Sequence, residues 1–510
     1  MEGQLLDKAD LPKNWDICEL DDVIQKISNG ANVIQHDEKI GYPISRIETI
    51  WNEGIDLGRV KYIKESSADF VEKYALRSGD ILLSHINSDA HLGKTGLFKG
   101  QVEILIHGIN LLLIRPAQEI LPEFLNYQLR HLRTKGLFVN AAQRAVNQSS
   151  INQKKLKSFQ VAVAPLLEQH RIVTKIEELF SELDKGIESL KTAQAQLKVY
   201  RQALLKHAFE GKLTAQWRAD NPDKLETADA LLNRIQHERT QRYEQQLAEW
   251  ETNGKQSGKP KAPKLQLPIT IKELTGLSKL PERWKWVKFG QIFNVYVGST
   301  PSRKRPDFWN GAIPWVSSGE VAFCRIKNTD EKITVLGFEN ASTEVHPIGT
   351  IMLAMIGEGK TRGQAAILDI EAAHNQNTAA IRVSEAGAVP ELIYNYLVYQ
   401  YEMTRKVGSG NNQKALNKER VSELIFPLCS IAEMTEIARL IDEKLSEINL
   451  LDQTITTSLK QAEALRQSIL KKAFSGQLVP QNPNDEPASE LLARIKAEKF
   501  AQPQTKKTRK

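Results

Sequence analysis

Residues 151–214 have the sequence INQKKLKSFQVAVAPLLEQHRIVTKIEELFSELDKGIESLKTAQAQLKVYRQALLKHAFEGKLT, and residues 416–479 have the related sequence LNKERVSELIFPLCSIAEMTEIARLIDEKLSEINLLDQTITTSLKQAEALRQSILKKAFSGQLV. The two segments align without a gap, and Glu168 corresponds to Glu433. Solenoid units are much shorter, at roughly 20–50 residues. The chain therefore contains a duplicated module, and we predict internal pseudo-twofold symmetry in a protein that engages its target twice.

The duplication extends towards the N-terminal side of each segment. LPKNW at 11–15 recurs as LPERW at 280–284, and NQSSIN at 147–152 recurs as NQKALN at 412–417. Each module thus has a globular part of about 145 residues, a usual domain size, followed by a long helical segment.

The globular parts are predicted to contain short strands and one helix each. Apolar runs rich in β-branched residues and bounded by glycine are typical of strands. They occur at 79–86, 102–107 and 109–116 in the first module and at 349–356 and 378–383 in the second. A helix is predicted after Pro122 in the first module and over 390–406 in the second, since proline is favourable at a helix start.

The long segments carry apolar side chains at every seventh residue. They are Ile176, Leu183, Leu190, Leu197 and Leu204 in the first, and Ile441, Ile448, Ile455 and Ile469, with Ala462, in the second. A second seam runs beside them through Ile172, Leu179, Ala193 and Tyr200, and through Ile437, Leu451 and Leu465. Heptads held this long favour a coiled coil. Each helix could instead pack only on its own globular part, but the narrow apolar stripe favours mutual pairing, and an antiparallel pair suits the pseudo-twofold.

Each long helix is predicted to end at a glycine and to be followed by a second helix. Gly211 and Gly476 stand where a left-handed residue commonly terminates a helix. ADALLNRIQHER at 228–239 then matches ASELLARIKAEK at 488–499. Residues 253–270 are rich in Gly, Pro, Ser and Lys, which is typical of a linker.

Composition indicates a soluble, cytoplasmic protein with no membrane partner. No stretch approaches the roughly 18 apolar residues of a membrane span, and the N-terminus has no apolar signal segment. Cys18, Cys324 and Cys429 are far apart, which argues against a disulfide framework and against a zinc site. The formal net charge of +7 permits a polyanionic partner without requiring one.

Catalytic signatures are sparse. Residues 354–361, AMIGEGKT, fit a relaxed phosphate-loop pattern, but the following AAILDI reads as a strand rather than the helix that holds phosphate in such loops. The equivalent loop of the first module has Gly93-Lys94-Thr95, which we interpret as displaced by an indel. We find no adenine-methylation tetrapeptide, Rossmann fingerprint or nucleophile elbow, and no metal-ligand spacing of histidines; His107 and His374 are interpreted as structural. These patterns favour a binding protein.

Candidate DNA-binding side chains lie in loops at equivalent positions of the two modules. Arg, Asn, Gln and Ser or Thr can recognise base edges, whereas nearby Lys and Arg can hold phosphates. The candidates are Arg46, His85, Asn87, Ser88, His91, Lys94, Arg144, Asn147 and Gln148 in the first module, and Arg303, Lys304, Arg305, Ser317, Ser318, Lys360, Thr361, Arg362, Asn412, Gln413 and Lys414 in the second. Any one of them is more often a solvated loop residue, so the signal is collective. Because the helices match and the loops differ, the pattern favours recognition of two different short sequences.

Taken together, these motifs resemble the specificity subunit of type I restriction–modification systems. The resemblance rests on the LPKNW and LPERW starts, the GDIL and GTIM strands, the two NQ segments, PLLEQHRIV with its weaker partner SIAEMTEIA, and the ALLKHAFEGKL and SILKKAFSGQL helix ends. It implies an α+β architecture in which two α/β target-recognition domains are separated by long helices that pair as an antiparallel coiled coil. One departure is Ser430 in the second module where the first has Pro165.

The resemblance also implies a domain division. It places a target-recognition domain at 1–158, a helical region at 159–252, a linker at 253–279, a second target-recognition domain at 280–423, a second helical region at 424–500 and a basic tail at 501–510.

By the same resemblance, the chain itself is non-catalytic and binds no cofactor. Double-stranded DNA is its ligand, and each domain recognises one half of a split, asymmetric site. Two modification subunits carry S-adenosylmethionine and methylate adenine, while two restriction subunits carry ATP, with Mg, for translocation and cleavage. Two alternatives stay open: a self-contained nucleic-acid-modifying enzyme, and a coiled-coil scaffold without a DNA role.

Overall fold

The structure is a computed structural model, described at residues 7–51, 54–64, 67–145, 148–254, 259–260, 262, 266–357, 359–406 and 415–501. The candidates Asn147, Asn412, Gln413 and Lys414 lie outside these residues, as does the basic tail from 502 onward.

The first globular part is a mixed strand and helix structure. Its strands are β1 Asp16–Glu19, β2 Ile24–Asn29, β3 Tyr42–Ile44, β4 Ile50–Trp51, β5 Gly54–Ile55, β6 Lys61–Ile63, β7 Ile81–Ser84, β8 Ile86–Asn87, β9 Thr95–Leu97, β10 Leu111–Pro116, β11 Gln143–Ala145, β12 Gln148–Ser150 and β13 Gln160–Val163. Its helices are α1 Ala68–Tyr74, α2 Pro122–Thr134, α3 Leu137–Ala141 and α4 Gln153–Lys157. The central antiparallel sheet has the order β2-β10-β7-β9, and a smaller sheet has the order β11-β12-β8.

The region between the globular parts is helical. It contains α5 Leu166–Phe209, α6 Ala215–Asp220, α7 Ala228–Thr252 and α8 Ile271–Leu274.

The second globular part repeats the plan of the first. Its strands are β14 Lys285–Lys288, β15 Asn294–Val297, β16 Trp309–Val316, β17 Cys324–Ile326, β18 Glu331–Ile333, β19 Ile351–Ala354, β20 Ala365–Leu368, β21 Ala373–His374, β22 Thr378–Arg382 and β23 Ile425–Leu428. Its helices are α9 Phe289–Ile292, α10 Val335–Glu339, α11 Pro390–Tyr399, α12 Tyr401–Lys406 and α13 Lys418–Ser422, and the chain continues with α14 Ile431–Ala473 and α15 Ala488–Ala501. The central sheet has the order β15-β22-β19-β20-β17.

Both faces of the first central sheet are covered, which explains its unbroken apolar runs. Ile81 and Leu83 of β7 face one core cluster, whereas Leu82 between them faces another. A strand buried on both faces needs consecutive apolar residues rather than an alternating pattern. The runs at 79–86 and 109–116 accordingly contain β7 and β10.

The strand prediction for 102–107 was wrong. Among the described residues, this segment contributes only isolated bridges, in which Ile106 pairs with Ile44 and with Ala75. Leu105 and Ile106 are nevertheless fully buried. The apolar run therefore records burial of an irregular segment, which periodicity alone does not distinguish from a short strand.

The chain divides into two compact units that join segments distant in sequence. The first unit comprises 1–191 with 455–510, and the second comprises 192–454. The first unit therefore holds the first globular part with the beginning of α5, the end of α14 and α15. The second unit holds the second globular part with the end of α5, α6, α7, α8 and the beginning of α14.

Within each unit, α5 and α14 pack against each other in antiparallel directions. In the first unit, Ile172 and Phe180 of α5 share a core cluster with Ile469 and Leu470 of α14, and Asp184 pairs with Arg466. In the second unit, the Gln194 amide donates to Asp452 at 3.0 Å, and the Arg201 guanidinium donates to Asn449. The predicted mutual pairing of the two long helices is therefore present.

The two predicted seams differ in burial. In the first seam, Ile176, Leu204, Ile441, Ile448 and Ile469 are buried, and Leu183, Leu190, Leu197 and Ile455 are half-buried. In the second seam, Ile172 and Ile437 are buried as predicted. Tyr200, Leu451 and Leu465 are each 52% exposed, so the prediction was wrong at these three positions. A straight α-helix rotates a heptad repeat by about 20° per heptad. Over several heptads the second seam therefore turns away from the partner helix.

The short helices that follow the long ones complete the cores of the globular parts. In the first unit, Leu491 and Ile495 of α15 pack with Leu20 of the first globular part. In the second unit, Leu231 and Ile235 of α7 occupy the same cluster as the second globular part. No helix in the described part of the chain is both long enough and apolar enough to cross a membrane.

Candidate nucleic-acid interface

The loop between β7 and β9 carries the largest group of candidates in the first module. The loop closes where the Gly93 N–H donates to the Ser84 carbonyl at 2.8 Å, with Gly93 at φ +72°. Arg133 of α2 secures it by donating to the carbonyls of Ala90 at 2.7 Å and Leu92 at 3.1 Å. A loop held in this way by a helix can present His91 and Lys94 in a fixed position.

Three candidates of the first module meet on the small β11-β12-β8 sheet. Strand pairing places Arg144 opposite Ser149, and Ser149 opposite Asn87. The Ser149 hydroxyl donates to Asp89 at 2.5 Å, and Asp89 lies 3.7 Å from the Arg144 guanidinium. Ser88 follows Asn87 and is exposed. The sheet therefore brings Asn87, Ser88 and Arg144 together as a polar surface, to which β12 adds the backbone of Gln148.

Two other candidates of the first module are placed differently. The His85 side chain is only 8% exposed, and burial lowers its pKa to about 4, so the imidazole is neutral at pH 7. Arg46 precedes a short 3-10 turn, and its guanidinium lies 3.3 Å from Glu48. Neither position belongs to the polar surface on the small sheet.

The loop between β19 and β20 is the counterpart in the second module, and it has the same length. The Gly363 N–H donates to the Ala354 carbonyl at 2.8 Å, as the Gly93 N–H donates to that of Ser84. Gly363 therefore corresponds to Gly93, and Gln364 to Lys94. The interpretation that an indel displaces Gly93-Lys94-Thr95 was wrong, because the two loops have the same length and close with the same backbone hydrogen bonds. The Gly-Lys-Thr triplets occupy different positions in loops of equal length.

Lys360, Thr361 and Arg362 lie in this second loop. The Tyr401 hydroxyl donates to the Lys360 carbonyl at 2.5 Å, and the Arg362 guanidinium donates to the Arg405 carbonyl at 3.1 Å. The loop joins antiparallel strands, and the segment after Arg362 enters β20 rather than a helix. The interpretation as a strand–loop–strand tip, and not a phosphate loop, is confirmed.

The loop after β15 presents arginines that already have carboxylate partners. Arg303 makes a two-bond pair with Glu331, and its guanidinium lies 3.8 Å above the Trp309 ring. Arg305 makes a similar pair with Asp307 at 2.9 and 2.6 Å. Lys304 between them is exposed. Exposed ion pairs of this kind are weak because water screens them, so another anion can compete for these arginines.

Ser317 and Ser318 follow β16 at a short 3-10 turn. The Ser317 N–H donates to the Glu320 carboxylate at 2.7 Å, which fixes the turn, and both serines are half-buried.

The two histidines interpreted as structural are buried. His107 and His374 are both at 0% exposure, and burial lowers the pKa of each. The His374 Nε2 atom lies 3.1 Å from the Nε2 atom of His346, which is also buried. Among the described residues, no group of three His, Cys, Asp or Glu side chains is arranged to hold a metal ion.

Several basic residues near the β7–β9 loop were not among the candidates chosen from the sequence. Arg130 and Arg133 lie on α2, and Arg466 lies on α14, far away in sequence. Together with His91 and Lys94 they line a cleft of about 390 Å³. Only the fold brings them together, although the arginines of α2 were visible in the sequence at a spacing that shares one helix face.

Two modules of one scaffold with different polar loops, joined to paired helices, define a protein class that recognises two different stretches of nucleic acid. A family model described as the type I restriction modification DNA specificity domain matches residues 12–194 and again 281–461. The chain therefore belongs to this family, and its role is that of a DNA-specificity subunit of a type I restriction–modification system.

Similar proteins extend the match over most of the chain. A Methanocaldococcus jannaschii protein designated the MjaX specificity subunit of a type I restriction enzyme is 26% identical over 481 residues. The match covers 92% of this chain and 95% of that protein. The EcoKI specificity subunit of Escherichia coli K12 is 29% identical over 222 residues, or 42% of this chain and 48% of that protein.

Solved structures agree on the fold. The HsdS subunit of Thermoanaerobacter tengcongensis has a TM-score of 0.53 at 16% identity, covering 92% of this chain and 98% of its own. A chain from a structure of complex assembly and conformational transition in the type I R-M system has a TM-score of 0.64 at 17% identity, covering 92% and 99%. At these identities the likeness concerns the fold alone.

Proposed function

We propose that the chain recognises a bipartite, asymmetric DNA site, with each globular part binding one half. The observation that carries this proposal is the pair of loops β7–β9 and β19–β20. They share length and closing hydrogen bonds, but Lys94 stands where the other module has Gln364. A common scaffold with different loop side chains suits recognition of two unlike half-sites.

In this proposal, the chain is non-catalytic and binds no cofactor of its own. Two modification subunits supply S-adenosylmethionine and adenine methylation, and two restriction subunits supply ATP-driven translocation and cleavage with Mg. The absence of a methylation tetrapeptide from the sequence and the strand–loop–strand form of residues 354–368 support this division of labour.

The test uses the purified full chain with duplex DNA, first alone and then with S-adenosylmethionine or ATP. We expect binding without methyl transfer, ATP hydrolysis or strand cleavage, and we expect methylation once the modification subunits are added. Turnover of S-adenosylmethionine by the chain alone would indicate a self-contained enzyme. Failure of the chain and of its assembled complex to bind DNA would favour the scaffold alternative.

A further inference from the structure

A cleft in the first unit gathers basic side chains from three parts of the chain. We call it the cationic cleft and define it by His91, Lys94, Thr95, Arg130, Arg133 and Arg466, which line its volume of about 390 Å³. Glu463 is the one carboxylate among its described lining residues. Arg466 also pairs with Asp184 outside the lining. Lys94, Arg130, Arg133 and Arg466 still outnumber the carboxylates Glu463 and Asp184, so the cleft has an excess of positive charge.

The positive groups in the cationic cleft act on each other's ionisation. Burial, followed by the neighbouring Arg133 charge, lowers the pKa of the half-buried Lys94. The Lys94 charge in turn is the main cause that lowers the pKa of His91. Like charges held close together disfavour their charged forms. An anion between them would relieve this repulsion.

Thr95 supplies an independent sign that the cleft is a binding site. Its side chain is only 2% exposed, and its hydroxyl has no hydrogen-bond partner among the described residues. A buried hydroxyl without a partner is costly, and such groups are uncommon in folded proteins. Thr95 and Lys94 line the same cleft, so an anion bound there would lie beside both residues.

The scaffold itself does not require these two side chains. The second module has Gln364 and Ala365 at the positions of Lys94 and Thr95, in a loop of equal length that closes with the same hydrogen bonds. Lysine and threonine are therefore particular to the first module, as expected for residues that serve binding rather than folding.

The loop that carries the cationic cleft also continues into the polar surface on the small sheet. Asn87 and Ser88 begin the segment that ends at Lys94. In addition, the cleft is bordered by Trp51, which is 46% exposed and has the Arg59 guanidinium 3.7 Å above its ring. The residues that would hold an anion in the cleft are thus close in sequence to the candidate base-contacting residues.

We propose that the cationic cleft binds a phosphodiester group of the DNA backbone and that Lys94 and Thr95 are positioning residues for the first module. This inference rests on the proposed function, because it assigns one step of DNA binding to particular residues. Phosphate contacts set the register and orientation of a protein on the duplex without contacting base edges.

The test compares the full wild-type chain with Lys94→Gln, which introduces the residue of the second module, and with Thr95→Val. Affinity is measured over a series of salt concentrations for a duplex carrying the methylated motif of the source cell and for a scrambled duplex. We expect Lys94→Gln to weaken both duplexes by about tenfold, the size of one lost charge-assisted hydrogen bond. The slope of log affinity against log salt should fall by about 0.9.

Thr95→Val separates binding from folding. Removal of an unpartnered buried hydroxyl should leave the thermal midpoint unchanged or raise it, while affinity falls several-fold for both duplexes. The matched control is Lys8→Gln, which removes one positive charge at an ion pair with Asp16 outside the cleft and should keep the wild-type affinity.

Several outcomes would overturn the inference. If wild type distinguishes the two duplexes but both cleft variants keep its affinity and salt slope, the cleft assignment fails while the proposed function stands. If wild type does not distinguish the duplexes, the proposed function fails. Loss of affinity for the motif duplex alone would make Lys94 a base-contacting residue. A thermal midpoint raised by inorganic phosphate, together with unchanged DNA binding in the variants, would identify a site for free phosphate.

Discussion

At the scale of single residues, the repeat places two buried glutamates in unlike surroundings. Glu433 and Glu168 are each 1% exposed. Glu433 accepts from the Thr214 hydroxyl at 2.7 Å and from the Trp284 indole at 2.9 Å, and it pairs with the Arg218 guanidinium. Glu168 accepts from the neutral Gln481 amide at 2.6 Å, and burial raises its pKa. Glu433 is therefore neutralised by a cation, whereas Glu168 accepts its hydrogen bond from a neutral amide.

Replacement of each glutamate by glutamine should therefore have opposite consequences. Glu433→Gln leaves Arg218 without its carboxylate and should lower the free energy of unfolding by about 3 kcal/mol. Glu168→Gln keeps an acceptor for Gln481 and removes a desolvated charge, so stability at pH 7 should be unchanged or rise by up to about 1 kcal/mol. Denaturant unfolding of the two full-length variants measures the difference, and each variant serves as the control for the other.

The pH dependence of the Glu168 effect has a definite sign. Because the folded pKa is raised, the ionised carboxylate costs stability at neutral pH, and this cost disappears as pH falls below the unfolded value of about 4.3. Any gain from Glu168→Gln should therefore be largest near neutral pH and vanish in acid. A gain that grew towards acid pH would contradict this account.

At the scale of secondary-structure elements, α15 is a separate piece that completes the first core from the far end of the chain. Its Leu491, Leu492 and Ile495 are buried among residues of the first globular part, including Leu20 and Val161. Lys499 also donates to the Asp21 carbonyl. The element is therefore distant in sequence from most of the core that it covers.

Truncation after residue 486 should destabilise the first unit selectively. Loss of three large buried side chains corresponds to about 5 kcal/mol of apolar burial. Hydrogen exchange should show lost protection in β1 and β13, with β14 and β23 unaffected. The matched control is Leu231→Ala on α7, which should reduce protection in the second globular part and not in the first. Equal loss in both parts after truncation would show that α15 does not act on one core.

The elements also show how far the sequence could predict this molecule. The duplicated helices were predictable because heptad spacing and end glycines are local signals, as were β7 and β10 because their apolar runs are bounded by glycine. The segment 102–107 was not, since burial of an irregular chain gives the same letters as a strand. Among the residues that line the cationic cleft, Lys94 and His91 were candidates from their residue types, and their DNA-binding role stays a prediction. Their neighbours Arg133 and Arg466 were not candidates, because only tertiary packing joins α2 to α14.

At the scale of the whole molecule, the two modules share a scaffold and differ in the polar loops that it carries. Each compact unit contains its own globular part with portions of both long helices. The first globular part packs on residues of α5 and α14, and the second globular part packs on other residues of the same two helices. A foreign globular part that keeps these core contacts should fold on the same helices.

Exchange of residues 11–157 for the corresponding part of another family member should change one half of the recognised DNA motif and leave the other half unchanged. The reason is that the candidate DNA-contacting residues of the first module, such as Asn87, Ser88 and Arg144, all lie within the exchanged segment, whereas the candidates in the β19–β20 loop do not. Sequencing of methylated DNA from cells that carry the hybrid chain with its modification subunits measures both halves at once. Exchange of residues 280–416 is the reciprocal control and should alter the other half. If either exchange changed both halves together, recognition would depend on both modules jointly, and the assignment of one half-site to each would have to be abandoned.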